Sequence, residues 1–446
     1  MAALEKIFKA YDVRGIYPDE LDEPTANRIG AAFVGFAGSD RVLLGRDMRT
    51  SSPVLAAAFA AGATGAGAEV VDVGEVSTDA LYFASGKLDL PGAMFTASHN
   101  PARYNGLKLC RAQAVPIGEE SGLLDIRDAA ARIEPQGGRR EAVTEMDILG
   151  DYAQHCRSFI DVSALRPLRV AIDAGNGMAG KTVPPVFDPL PVEVVPLFFE
   201  LDGTFPNHPA NPIEPENIVD LQRTVKEHGC DVGIAFDGDA DRMFLVDENT
   251  EPVSGSLTTA LVAERILKKH PGETIIHNLI CSWVVPEVIE ENGGKPVRTR
   301  VGHSFIKQHM AETGAIFGGE HSGHYYFRDN FRADSGMIAA LVVLEAMSEA
   351  GRPLSELLEP YQRYSASGEI NSEVADQAAS LRKLAERYSD GDQDRLDGLT
   401  VRYDDWWFNC RPSNTEPLLR LNLEARTRPL KDEKVQEVLS VIRGDA

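Results

Sequence analysis

Hydrophobic positions along the chain fall into two alternating rhythms. Short apolar runs such as RVLLG (Arg41–Gly45) and AEVVDVG (Ala68–Gly74) read as β-strands, and an Ala-rich amphipathic stretch lies between them. The alternation continues through LRVAIDAGNGMAG (Leu168–Gly180), which reads as strand, Gly-rich turn and helix start, and through VEVVPLF, CDVGIAF and MFLVDE. SLTTALVAERILKKH (Ser256–His270) carries apolar residues at helical spacing. SGMIAALVVLEAMSEAG (Ser335–Gly351) is apolar nearly all round and predicts a buried helix closed by Gly351. TIIHNLI, KPVRTRVG and AIFGGEHSGHYYF supply further strands or strand–turn units. Strands alternating with helices predict α/β domains with mixed, mostly parallel sheets.

The rhythm changes after PYQRYSASGEI (Pro360–Ile370). A charged helix, SLRKLAERYSD, is followed by antiparallel strands within LTVRYDDWWFNCRPSNTEPLLRLNLEAR and a closing helix, LKDEKVQEVLSVIRG. This tail predicts a smaller, separate α+β domain. The 446 residues suit three or four domains, with boundaries expected at 1–150, 151–250, 251–365 and 366–446. In each of the first three segments a polar, Gly-containing loop follows a strand, which is where α/β folds place ligand sites.

Composition narrows the function classes. The net charge of −23 argues against a general nucleic-acid or anionic-membrane surface, although a local basic cluster can still dominate one cleft. Five scattered Cys without a CxxC pair read as free thiols in a reducing compartment. The N-terminus lacks an apolar signal core, and AAAFAAGATGAGA is too short to span a bilayer. A cytoplasmic protein is expected.

Several loops can carry chemistry. DGDADR sets Asp237, Asp239 and Asp241 at alternate positions, so that three carboxylates can converge on one hard cation, Mg²⁺ or Ca²⁺ rather than Zn²⁺. An EF-hand is disfavoured because Arg242 stands where its sharp turn needs Gly; a solvated acidic turn is the bland alternative. RPSNTEP (Arg411–Pro417) offers a guanidinium, two hydroxyls, an amide and backbone donors, a phosphate cradle or simply a polar β-turn. In GGEHSGH (Gly318–His324), Glu320 and Ser322 can hydrogen-bond a polyol. A zinc site on Glu320, His321 and His324 lacks a supporting spacing. YDVRG (Tyr11–Gly15) and RVGHSFIK (Arg300–Lys307) each put a basic residue beside Gly. DAGNGMAG (Asp173–Gly180) is either a phosphate-binding helix N-terminus or a tight strand–helix turn.

AMFTASHNPARYNGLKL (Ala93–Leu109) leaves three readings of Ser98. A hydrolase nucleophile would want a Gly-flanked elbow, which TASHN lacks, and His99, adjacent in sequence, is poorly placed to face the Ser hydroxyl. A helix N-cap is compatible with Pro101 near a helix start. A phosphorylated serine needs a metal, basic neighbours and a place for a second phosphate.

TASHNP, DGDADR, GEHSGH and RPSNTEP, in this order across the four segments, resemble the α-D-phosphohexomutase family, most closely its bacterial phosphomannomutase/phosphoglucomutase branch. The resemblance runs from YDVRG to RPSNTEP. It implies three similar α/β domains and a smaller C-terminal α+β domain around one central cleft. It implies a phosphoserine at Ser98, and Mg²⁺ held by Asp237, Asp239, Asp241 and an oxygen of that phosphoserine. Sugar contacts would come from Glu320, Ser322 and His324, and substrate-phosphate contacts from Arg411, Ser413, Asn414 and Thr415. The implied activity is reversible conversion of hexose 6-phosphate and hexose 1-phosphate, mannose favoured and glucose accepted, through a hexose 1,6-bisphosphate that reorients and also serves as activator. Phosphoryl transfer needs positioning and charge neutralisation, for which Arg242, Arg14 and His99 are candidates. Lys108 is the first choice and His303 the second for the base that deprotonates the attacking sugar hydroxyl. The substrate is then the partner, with no nucleic acid or membrane, and the chain a monomer or homodimer. Alternatives are a phosphoglucosamine mutase, whose branch more often has Gly at the place of Asn414 and Gln at that of His321, a Mg-dependent sugar phosphatase or phosphotransferase with an aspartate nucleophile, and an inactive sugar-phosphate-binding relative.

Overall fold

The computed structural model describes residues 2–412 and 418–444, with the side chains of Ala2, Ala3 and His303 outside the description. The first sheet runs in the order Val13–Ile16, Tyr104–Arg111, Gly92–Phe95, Arg41–Arg46, Glu69–Glu75, Val143–Glu145, with Val115–Pro116 attached to its second strand. The second runs Pro252–Val253, Met243–Asp247, Val232–Phe236, Leu168–Asp173, Val192–Leu197, and the third Lys295–Thr299, Thr274–Asn278, Phe317–Gly319, Tyr325–Phe327. These three sheets are mixed, with the parallel strands connected through helices. The fourth sheet, Ser365–Glu373, Leu418–Ala425, Trp406–Pro412, Leu399–Arg402 and Asp392–Asp394, is antiparallel throughout.

One device recurs in the first three sheets. A buried parallel strand ends in a loop, and the chain returns as its antiparallel neighbour. Gly92–Phe95 returns as Tyr104–Arg111, Val232–Phe236 as Met243–Asp247, and Phe317–Gly319 as Tyr325–Phe327. The loops so formed carry Ser98, the three aspartates and Glu320. A strand this apolar cannot continue into solvent, so its polar turn emerges at the sheet's rim, where three such rims face one another. Ser98 is followed by turns and then the strand Tyr104–Arg111, so it caps no helix. The sequence expectation of a helix start at Pro101 gives way to the pairing of Tyr104–Arg111 with three neighbouring strands. In DAGNGMAG a tight turn joins the strand to the helix Ala179–Phe187, closed by Asp173 Oδ1 accepting the Gly175 N–H at 2.8 Å.

A continuous apolar core runs from Leu43 and Met94 of the first sheet through Ile172 and Phe236 to Phe317 and Leu341. At its centre lies the helix Gly336–Ala350, buried at every position from Gly336 to Met347, as its all-round apolar pattern predicts. It stops where Gly351 adopts φ 63°, a left-handed cap that costs glycine nothing. The C-terminal segment keeps a core of its own around Leu384, Phe408, Leu421 and Leu439. The five cysteines are free and buried. Among the described residues no helix is long and apolar enough to cross a membrane.

A buried carboxyl ties the first three segments together. Asp79, on the helix Thr78–Leu88, accepts from Tyr152 Oη at 2.6 Å and Ser335 Oγ at 2.6 Å, and bonds to Ser77 Oγ. Burial pushes its pKa up from 3.8 to about 6, although the hydroxyls partly offset the shift. The folded protein therefore holds one more proton here than the unfolded chain between pH 3.8 and about 6, and loses stability as pH rises through that window. We expect Asp79→Asn to gain about 2–3 kcal/mol relative to the parent between pH 4 and pH 7. Urea unfolding at both pH values measures this; a difference that does not change with pH would contradict it.

Candidate active site

The three rim loops converge on the aspartates. Asp237, Asp239 and Asp241 are 0%, 0% and 1% exposed, and their carboxylate oxygens lie within 4.8 Å of one another. Three negative charges at that spacing in a buried seam repel strongly unless cations intervene. Two side chains supply part of that compensation. Lys108 Nζ lies 2.7 Å from Asp239 Oδ2 and 2.6 Å from Asp241 Oδ2, and Arg242 Nε lies 2.9 Å from Asp237 Oδ2. Asp239 also accepts from Thr78 Oγ1 at 2.6 Å, while its carbonyl accepts the Thr78 N–H at the start of a helix. The Oδ1 atoms of Asp239 and Asp241 are buried without a hydrogen-bond partner among the described residues. Two orphaned, inward-facing carboxylate oxygens beside a third carboxylate are what an oxygen-seeking divalent cation requires. The donor set therefore fits Mg²⁺.

Charge is distributed unevenly over this cluster. Burial works against the Lys108 ammonium, but Asp239 and Asp241 outweigh it and raise its pKa well above the ordinary lysine value. Burial likewise opposes ionisation of Asp239, yet Lys108 and the Thr78 hydroxyl hold it below the usual carboxylate range. Asp241 goes the other way: burial, together with the charge on Asp239, pushes it up to about 7. The two carboxyls titrate as a pair around one ammonium.

Ser98 reaches this cluster from the first domain. Its Oγ donates to Asp237 Oδ2 at 2.6 Å, and its backbone has φ 48°. Next to it, Gly238 permits the two loops to touch: a Cβ there would stand 2.5 Å from the Ser98 carbonyl oxygen. The left-handed bend also corrects the expectation for His99. Its Nδ1 comes 3.2 Å from Ser98 Oγ, because the bend folds neighbouring side chains onto one side. Burial, with Arg242 and Arg14 adding to it, lowers the His99 pKa well below 6.5, so the ring is neutral. Arg14 donates to Asn100 Oδ1 at 2.6 Å and pairs with Asp12.

The third loop joins through an isolated bridge between Arg242 and His324 and a Met243 N–H bond to the Gly323 carbonyl. His324 Nδ1 lies 2.8 Å from Asp334 Oδ2 and 3.9 Å from Asp241 Oδ1. Burial opposes its protonation, but the two carboxylates prevail and raise its pKa. Glu320 is 2% exposed, its carboxylate oriented by Tyr326 Oη at 2.5 Å and Asn278 Nδ2 at 3.0 Å. Ser322 is half-buried in the same turn. His321 turns away, its Nδ1 3.2 Å from Ser256 Oγ, toward a cavity of about 370 Å³ lined in part by Ser282, Gly368, Trp407 and Glu424. The two histidines thus face different partners and do not share a metal.

Arg411 is 9% exposed and donates to Glu369 Oε2 at 2.8 Å, while its Nε has no partner among the described residues. Ser413, Asn414 and Thr415 lie outside the described residues, as does the side chain of His303. Tyr11 shows how the domains converge. Burial, then the charges of Asp397 and Glu320, push its pKa up to about 12, while Arg300 and Arg411 act in the opposite direction. Sequence reasoning missed Thr78, Asn278, Tyr326 and Asp334. None belongs to a loop with a recognisable spacing; each matters through a neighbour on another element. Lys307, in the weak RVGHSFIK signal, is 3% exposed, paired with Asp334 at 2.7 Å and set 3.9 Å over the Tyr82 ring.

Known proteins match this architecture throughout. Family models for phosphoglucomutase/phosphomannomutase match residues 5–136 (alpha/beta/alpha domain I), 150–251 (domain II), 254–364 (domain III) and 369–441 (C-terminal domain). A protein of Xanthomonas campestris pv. campestris described as phosphohexose mutases is 43% identical, over 98% of this chain and 99% of its own. A phosphomannomutase of Salmonella montevideo is 41% identical with the same coverage. The crystal structure of a phosphoglucomutase/phosphomannomutase family protein from Burkholderia thailandensis superposes with a TM-score of 0.88 at 34% identity, covering 98% of both chains.

The charge balance in the seam makes a prediction independent of turnover. Lys108→Met leaves three buried carboxylates short of one cation and should cost about 3–5 kcal/mol in the presence of a chelator. Millimolar Mg²⁺ should restore more stability to Lys108→Met than it adds to the parent. Urea melts with EDTA and with Mg²⁺ measure both; equal Mg²⁺ stabilisation of the two proteins would contradict the charge argument.

Proposed function

This chain belongs to the phosphoglucomutase/phosphomannomutase family, and we propose that its four-domain seam converts hexose 6-phosphate and hexose 1-phosphate into each other through a phosphorylated Ser98, with mannose phosphates favoured and glucose phosphates accepted. The observation that carries this reading is the contact of Ser98 Oγ with Asp237 inside a cluster of three buried carboxylates. A hydrolytic serine has no use for such a cluster, whereas a phosphoserine places its charge where cations already gather.

The chemistry balances as two reversed half-reactions. In one, a sugar hydroxyl oxygen attacks the phosphorus on Ser98; the P–O bond to Ser98 breaks and Ser98 Oγ takes up a proton, a P–O bond to the sugar forms, and the hydroxyl proton passes to a base. In the other, Ser98 Oγ attacks the second phosphate of the resulting hexose 1,6-bisphosphate, and the departing sugar oxygen takes a proton. Lys108 is our candidate for that proton. Its ammonium form is held by Asp239 and Asp241, which is the state the second half-reaction needs. The Ser98 hydroxyl proton is directed at Asp237 Oδ2, with the neutral His99 ring beside it. Arg242 and Arg14 offer guanidinium charge to the transferring group. Mg²⁺ would be held by Asp237, Asp239, Asp241 and an oxygen on Ser98, and supplies Lewis-acid neutralisation of phosphoryl charge.

Binding is divided between the outer domains. Glu320 would accept from two adjacent ring hydroxyls, already oriented by Tyr326 and Asn278, with Ser322 and His324 on the same turn. Arg411, with Ser413, Asn414 and Thr415, would hold the phosphate that is not reacting. Such a division serves both orientations of the bisphosphate, because the contacts near O3 and O4 exchange places when the sugar turns.

Two outcomes test this reading. Ser98→Ala should lose activity about 1,000-fold or more, and phosphopeptide mapping of the parent should find the phosphoryl group on Ser98; near-parent turnover by Ser98→Ala would refute the phosphoserine. Glu320→Ala should lower kcat/KM for mannose 1-phosphate and glucose 1-phosphate by similar factors, about 100-fold, in an assay primed with the bisphosphate. A loss confined to one epimer would mean that Glu320 reads O2.

A further inference from the structure

We infer that Arg49, remote in sequence from the motif loops, is the positioning residue that fixes Ser98 for phosphoryl transfer. The inference rests on the phosphoserine reading and adds what sets the serine's geometry. Arg49 is 1% exposed, and its partner Asp47 0%. Its guanidinium is spent almost wholly on the backbone of the reactive loop. Nη2 donates to the carbonyls of Ser98 at 2.8 Å and Asn100 at 2.6 Å; Nη1 donates to those of Pro101 and Tyr104, both at 2.9 Å. Nε faces Asp47 Oδ2 at 3.2 Å, and Asp47 Oδ1 in turn accepts the Arg49 N–H at 3.0 Å and the Ser52 hydroxyl at 2.6 Å.

One rigid plane thus gathers the carbonyls around a residue held at φ 48°. A left-handed non-glycine residue costs free energy and persists only where its surroundings over-determine it. Here the Ser98 carbonyl is clamped from two sides. Arg49 Nη2 holds it in the first domain, and Gly238, between Asp237 and Asp239, abuts it from the second. The clamp therefore sets where Ser98 Oγ sits relative to the aspartates. The second domain also covers the guanidinium itself. The Phe205 ring lies 5.1 Å from its centre, and Gly203 is so close that a Cβ there would stand 2.5 Å from Arg49 Cα. A lysine, with a compact ammonium and no planar fork, cannot serve several diverging carbonyls.

Arg49→Lys tests this. The variant keeps a cation beside Asp47, so it should fold with a Tm within about 5 °C of the parent and a KM for hexose 1-phosphate within about threefold, while single-turnover transfer from glucose 1,6-bisphosphate to Ser98 falls about 100-fold. Rapid-quench sampling with intact-protein mass spectrometry reads the transfer. Millimolar guanidinium should partly restore it in Arg49→Ala. A transfer rate within about threefold of the parent in folded Arg49→Lys overturns the inference alone. A parent that takes no phosphoryl at Ser98 overturns the phosphoserine reading and the inference with it. Should Arg49→Lys fail to fold, Phe205→Leu, at a half-buried loop position, should slow the same transfer about threefold, and an unchanged rate overturns the inference.

Discussion

Three carboxylates buried at one point are the constraint around which the molecule is organised. Asp237, Asp239 and Asp241 come from one turn, but what offsets their repulsion does not. Lys108 arrives from the first domain, as does Thr78 with a helix N-terminus behind it, and His324 approaches Asp241 from the third. Only Arg242 is local. Assembling the domains and neutralising the cluster are therefore one physical problem, which accounts for an apolar core that runs unbroken through three sheets instead of stopping at each. The orphaned oxygens of Asp239 and Asp241 show that side chains alone leave the neutralisation unfinished.

The C-terminal domain stands apart from that problem. It has its own core, and it meets the third domain through polar contacts: Glu424 accepts the Trp283 N–H at 2.9 Å, Asp397 Oδ2 accepts the Val301 N–H at 3.2 Å, and Arg298 pairs with Asp394. Its guanidinium Arg411 is held by Glu369 at the start of the same sheet. An element on a separately packed body can adjust its distance to the cleft without disturbing the carboxylate cluster. Interfaces of this polar kind accommodate relative motion between domains.

Much of this was legible in the chain. Periodicity separated the α/β segments from the α+β tail, and the all-apolar helix after Ser335 read correctly as buried. The acidic triplet and the serine loop were visible because their residues are close in sequence and their spacing has chemical meaning. What stayed hidden was the partnership over distance. Thr78 and Asp239 are 161 positions apart and Arg49 and Ser98 are 49 apart, and nothing in the local composition of VSTDAL or GRDMRTSS announces either contact. His99 misled for a different reason. Adjacent side chains in an extended segment point to opposite sides, so the pair looked incapable of meeting, but the left-handed φ of Ser98 removes that separation.

The overall charge of −23 also takes a different meaning once the seam is known. A protein so acidic is a poor general host for a doubly phosphorylated sugar, and the acidic surface lowers the concentration of anions near it. Within the described residues, however, Arg14, Lys108, Arg242, Lys307 and Arg411 are all largely buried and turned toward the loops or their immediate supports. Each is already paired with a carboxylate: Asp12, Asp239 and Asp241, Asp237, Asp334 and Glu369 respectively. The cleft is consequently not a simple positive patch but a set of pre-paired ions. A phosphate entering it exchanges with resident carboxylates for the same cations and so gains less than a bare cluster would give. That moderation suits the proposed reaction, in which a bisphosphate turns within the site. Grip strong enough to hold either phosphate in one place would hold it too long for the other to reach Ser98.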